Sequence, residues 1–181
     1  MPSTTDLRDS LLATYAINDA MNQHLLAQLN PKAWRAQLPG QSNAGRTIAQ
    51  IYVHLHNCRL VWIRESAPHL TCPAPLDPHR CTMKQAASAH KKSAAQCLRM
   101  LTDGLADASE RKVTRFSRGA WSRTWPAGGA MFLYMFSHEA HHRGQILQLA
   151  HQLGYRIPPK AWGDIWNWDK LWKQQGIPRP R

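Results

Sequence analysis

No stretch of this 181-residue chain reaches about 18 consecutive apolar residues, which excludes a transmembrane helix. The first residues, Met1 to Ser10, are polar and lack the apolar core of a secretory signal, so none is expected. Cysteine is sparse. Cys58, Cys72, Cys81 and Cys97 show neither CxxC nor any other paired-ligand spacing, and are expected as reduced thiols in a cytoplasmic protein. Acidic residues are few, 11 against 23 Lys and Arg, for a formal charge of +12. That surplus invites a nucleic-acid reading. The basic residues are scattered, however, apart from His90-Lys91-Lys92, Arg111-Lys112 and the tail Pro178-Arg179-Pro180-Arg181, and no nucleic-acid recognition motif accompanies them. The expected surface is a solvated basic one that attracts anionic small molecules, with no membrane and no nucleic acid as partner.

What is present is a set of helical patterns. With 43% hydrophobic residues and eight tryptophans, residues 1–181 are expected to form one domain with a sizeable core. From about Asp6 to Leu29, apolar residues fall at helical spacing and stop at Asn30-Pro31. Asn18 and Asn22 lie four apart on this helix and are expected as polar surface or in a local hydrogen bond. Pro31 to Arg46 reads as a loop that tucks Trp34 and Leu38 against the core. Thr47-Ile48-Ala49-Gln50 is a capping box that opens a second helix to about Glu65. Its stripe of Ile51, His54, Cys58, Val61 and Trp62 puts His54 in the core, with His56 expected to face solvent or a side interface. Pro68 to Cys81 is a proline-rich loop. Thr82-Met83-Lys84-Gln85 repeats the capping logic and opens a third helix to about Thr102, on which His90 is expected to be exposed.

Between Asp103 and Gly128 the residues alternate around Ser117-Arg118-Gly119, predicting a short hairpin. A fourth helix then runs from about Gly129 to Leu153 and ends at Gly154. Ala161 to Gln175, rich in tryptophan, predicts one short closing helix. Four main helices joined by long connections make an all-α four-helix bundle the expected architecture.

The fourth helix carries the chemistry. Met131, Met135, His138, His142, Ile146, Leu149 and Leu153 form one inward stripe. Residues four apart lie about 40° apart around the axis and roughly 6 Å along it, so His138 and His142 can reach one ion together. His54 is the natural third ligand, because an unpaired buried imidazole is costly and three in one interior need a common explanation. Three neutral imidazoles leave coordination positions open, the pattern of a catalytic site. Gln145 lies near the same face as a candidate partner for a ligand. Glu139 lies about 100° off the stripe and is a candidate general base.

Two other readings compete. His138-Glu139-Ala140-His141-His142 is a literal HExxH, the zinc hydrolase helix. The metzincin continuation asks for glycine at 145 and histidine at 148, where this chain has Gln145 and Gln148, and no glutamate follows Glu139. The other reading is a non-enzymatic basic dimeric bundle that binds nucleic acid or a protein partner, its histidines merely structural.

The segments Gly45-Arg46-Thr47-Ile48-Ala49-Gln50-Ile51-Tyr52-Val53-His54, His138-Glu139-Ala140-His141-His142-Arg143-Gly144-Gln145 and Trp166-Asn167-Trp168-Asp169-Lys170-Leu171-Trp172 resemble the DinB family of metalloenzymes, the DinB/YfiT-like superfamily. The resemblance implies an up-down-down-up bundle, a homodimer, and a divalent zinc, nickel or iron ion held by three histidines at the positions of His54, His138 and His142. It also implies a small-molecule reaction, as in the family's thiol-dependent S-transferases and maleylpyruvate isomerase, with a low-molecular-weight thiol as the co-substrate.

Overall fold

The computed structural model describes residues 4–38 and 45–176. The tail Pro178–Arg181, residues Met1 to Ser3 and the middle of the Pro31–Arg46 connection therefore lie outside the described residues. Four long helices form the body: α1 (Thr4–Gln28), α2 (Ile48–Ser66), α3 (Met83–Gly104) and α4 (Gly129–Gln152). Their starts follow from local chemistry. Thr47 Oγ1 accepts from the Gln50 backbone N–H while Gln50 Oε1 accepts from that of Thr47, and Thr82 and Gln85 do the same for α3. After α4, Gly154 takes a φ of 80°, a conformation glycine adopts freely, and lets Tyr155 N–H close back on Ala150 O at 2.8 Å.

α1 packs against α3 and α4, and α2 packs against the same two helices, so the order around the bundle is α1, α3, α2, α4. The proline-rich loop closes over the side, with Trp34 Nε1 donating to Cys81 O and Asn57 Nδ2 donating to Leu76 O. Two expected elements differ. The closing helix is two helices, α5 (Pro159–Trp166) and α6 (Trp168–Gln175), because Asn167 leaves the helical conformation and its side chain caps α6 by accepting from Lys170 N–H. The hairpin exists as β1 (Arg115–Phe116) and β2 (Trp125–Pro126), with Arg115 opposite Pro126 and Phe116 opposite Trp125. Its turn spans residues 117–124 and is wider than Ser117-Arg118-Gly119. The wider turn lets Arg118 fold back over the Trp125 ring, 3.7 Å from guanidinium carbon to centroid.

The core is split. One apolar cluster gathers Met21, Leu25, Tyr52, Leu55 and Ile146; the other gathers Tyr15, Trp62, Ile63, Met100, Phe116 and Met131. Between them, each helix contributes buried polar residues: Asn18 and Asn22, His56 and Arg59, His90 and Ser93, Glu139 and Arg143. This layer corrects four sequence expectations. Asn18 and Asn22 are buried, each bridging Glu139 and Arg143. His56 is buried, its Nε2 donating to Ala74 O and its Nδ1 meeting Ser93 Oγ. His90 is buried, its Nε2 donating to Tyr52 O. All four face inward because groups on other helices and in the proline-rich loop take up their hydrogen bonds, all but that of His90 Nδ1, which has no partner among the described residues. His54 moves the other way. It is half-buried, on the rim between α2 and α4.

Candidate metal centre

α2 presents His54 and α4 presents His138 and His142 into one cleft. Their ring centroids lie 5.4 Å (His54 to His138), 4.7 Å (His54 to His142) and 4.6 Å (His138 to His142) apart. One nitrogen from each ring lies within 4.8 Å of the others, close enough for a single ion between them, given zinc–imidazole bonds of about 2 Å. His142 is buried and the other two are half-buried, so the group is open on one side.

The surroundings hold the rings still. Trp62 meets His138 edge-on at 5.3 Å, and the Tyr134 ring stacks on it at 6.2 Å. Arg118 in turn lies over Tyr134 and Trp125, so the wide hairpin turn braces the α4 side of the cleft. Gln145, one turn on from His142, has its Oε1 2.7 Å from His142 Nδ1. The carbonyl oxygen accepts, so Nδ1 carries the proton and Nε2 keeps the free lone pair of His142. Cys58, one turn after His54, lies with its Sγ 3.6 Å from both of that ring's nitrogens.

Electrostatics favour neutral imidazoles. Burial pushes His54 down to about 4, helped by the charges of Arg46 and of the other two histidines. Burial and His142 push His138 down to about 4. His142 is also lowered by burial, against the pull of Gln145. Neutral rings keep a lone pair for a metal at ordinary pH. His138 Nδ1 is buried and has no hydrogen-bond partner among the described residues, a deficit that a ligand role relieves. Burial also raises the Cys58 thiol to about 11, so it is protonated without an ion.

Glu139 faces elsewhere. Its Oε1 accepts from Tyr15 Oη and Arg59 Nε, and its Oε2 from Asn18, Asn22 and Arg59 Nη2, at 2.6 to 2.9 Å. Burial alone would raise this carboxyl, but the Arg59 guanidinium and the donors around it hold it below its ordinary value. Both oxygens are committed to the interior, an arrangement that offers no lone pair to a substrate proton and differs from the exposed glutamate an HExxH hydrolase uses. Sequence reasoning passed over Arg59 entirely. Its one signal was its place on the buried face of α2, between Leu55 and Trp62. Arg46 and Cys58 were likewise not assigned to the site, although Cys58 sits at helical spacing from His54.

A family model described as the DinB family matches residues 1–169. A search of curated proteins finds no match to this chain.

Proposed function

The chain belongs to the DinB family, and from that premise we propose that it is a divalent-metal-dependent enzyme whose ion is held by His54, His138 and His142. The observation that carries this reading is the approach of three neutral imidazoles from two helices to within 4.8 Å. The orphaned His138 Nδ1 fits it too. A bound ion would act as a Lewis acid, lowering the pKa of a coordinated water or thiol. The chain's own residues do the rest. Gln145 fixes the tautomer and the tilt of His142. Trp62 and Tyr134 fix His138. The half-exposed edge of His54 leaves the approach open to a small molecule. Glu139 and Arg59 act as scaffold, tying α4 to α2 so that the ligands keep their spacing.

Within this reading, the family resemblance favours transfer or isomerisation that uses a low-molecular-weight thiol, carried out by a cytoplasmic homodimer. The four cysteines are free, which suits a reducing compartment. Zinc, nickel and iron all accept imidazole ligands. The test is metal content of the purified protein beside His54→Ala and His142→Ala, after incubation with zinc or nickel and removal of excess. The expected result is one divalent ion per wild-type chain and none in either variant. Full occupancy in His54→Ala would put the third ligand elsewhere, and an empty wild type would end the metalloenzyme reading.

A further inference from the structure

Two open clefts flank the histidine group, and Arg46 lines both. The smaller, about 490 Å³, has His54 in its wall together with Gln50 and Asn57. The larger, about 720 Å³, is walled by His141, Gln145, Gln148 and Gln152 of α4, and Gln145 is the side chain that holds His142. No aspartate or glutamate is among the described residues lining either cleft. Glu139, which adjoins His138 in sequence, is neutralised by Arg59 in the interior. Arg46 is exposed and makes no hydrogen bond or ion pair among the described residues. It stands in the wall of the smaller cleft beside His54 and in the wall of the larger beside Gln145.

We propose that these clefts admit a small carboxylate-bearing substrate, which Arg46 binds by its carboxylate while the neighbouring amides take its other polar groups. The inference deepens the function proposed above and rests on it for the reaction, though not for the binding. A guanidinium fork matches the two coplanar oxygens of a carboxylate. A phosphate presents three or four oxygens in a tetrahedral array that one planar fork does not satisfy, and the start of α2 beside Arg46 does not supply the further donors. The Ala49 amide already donates to Trp34 O, the Gln50 amide to Thr47 Oγ1 and the Ile51 amide to Thr47 O, so these amides form no phosphate nest. The amide-lined walls carry no charge of their own. They can donate to and accept from a polar substrate without repelling it.

The test titrates succinate and its neutral diamide, succinamide, by calorimetry into wild type, Arg46→Gln and Arg46→Lys, each metal-free and zinc-loaded. Because Arg46 is exposed and has no partner among the described residues, these variants are expected to fold as wild type. Wild type should prefer succinate by about tenfold or more, the size of a charge-assisted hydrogen bond. Arg46→Gln should lose that preference, and Arg46→Lys, which keeps the charge without the fork, should fall between. Equal succinate affinity in Arg46→Gln and wild type would overturn the proposal, as would a wild type that binds no succinate or does not distinguish it from succinamide. Zinc content measured on the same samples reports on the histidine site separately. A chain that holds no zinc would end the metal reading, while the metal-free titrations still decide the role of Arg46.

Discussion

Arg59 on α2 and Glu139 on α4 are joined by two parallel hydrogen bonds, Nε to Oε1 at 2.8 Å and Nη2 to Oε2 at 2.6 Å, with neither side chain exposed. α1 completes the carboxylate shell through Tyr15, Asn18 and Asn22, and α3 gives the guanidinium the carbonyl of His90. All four long helices therefore meet at one ion pair. Removing Arg59 leaves the Glu139 carboxylate buried without its guanidinium, and removing Glu139 leaves the buried Arg59 with only the single 3.0 Å ion pair to Asp19 among the described residues. Arg59→Met or Glu139→Gln should lower the free energy of unfolding by about 3 to 5 kcal/mol, read from urea denaturation. Zinc content of whatever folds should equal that of wild type. A Glu139→Gln protein with wild-type stability but no activity would instead make Glu139 a general base.

The hydrogen bond from His142 Nδ1 to Gln145 Oε1 orients a proposed metal ligand from outside the metal site. Gln145→Ala should weaken zinc binding by roughly 10- to 100-fold, measured by competition with a chromophoric chelator, while stoichiometry at saturating zinc stays the same. Gln145 is exposed, so thermal stability of the metal-free protein should barely change. An unchanged zinc affinity would reduce Gln145 to a surface residue that happens to lie near His142.

An ion held as proposed by His54 of α2 and by His138 and His142 of α4 would cross-link those helices. Zinc at roughly 100 times its Kd should stabilise the fold by about 2.7 kcal/mol, seen as a rise in Tm that a chelator reverses. His138→Ala should abolish the rise. A zinc-dependent rise that survives in His138→Ala would place the stabilising ion at another site.

His90 gives the fold an acid sensitivity. Burial, reinforced by the charge of Arg59, pushes its pKa from 6.5 down to about 3, and the groups facing it are Arg59, His56, Glu139 and the Tyr52 carbonyl. The folded chain protonates His90 only near pH 3, whereas the unfolded chain does so near 6.5. Its contribution to stability is therefore intact above pH 6.5 and is lost progressively as pH falls from 6.5 toward 3. His90→Gln, which keeps an N–H donor within reach of Tyr52 O, should be less stable than wild type at pH 7, and the gap should narrow at pH 5. The check is urea denaturation of both proteins at the two pH values, and a gap that stays constant or widens would contradict the assignment.

The local elements were largely legible because local chemistry sets them. Thr47 with Gln50 and Thr82 with Gln85 announce two helix starts through bonds made within four residues. The stripe from Met131 to Leu153 announces α4, and His138 and His142 face one cleft simply because they are four apart. The break at Asn167 was less legible, since the tryptophans on both sides share one helical spacing and only the backbone turn at that residue separates α5 from α6.

By itself, the sequence determined that this chain builds long amphipathic helices, none of those described long and apolar enough to cross a membrane, and carries two histidines on one helical face with a third on another helix. Only the tertiary structure decided which polar residues go inside. Asn18, Asn22, His56, His90 and Arg59 look like surface residues in one dimension, because their partners lie some 20 to 125 positions away and no periodicity encodes such a pairing. The same holds for Glu139. Its neighbours in sequence, His138 and His142, suggested a catalytic base, and its neighbours in space made it the centre of the core. A buried polar group is affordable only where other helices complete its hydrogen bonds, and the packing of the helices decides where that is.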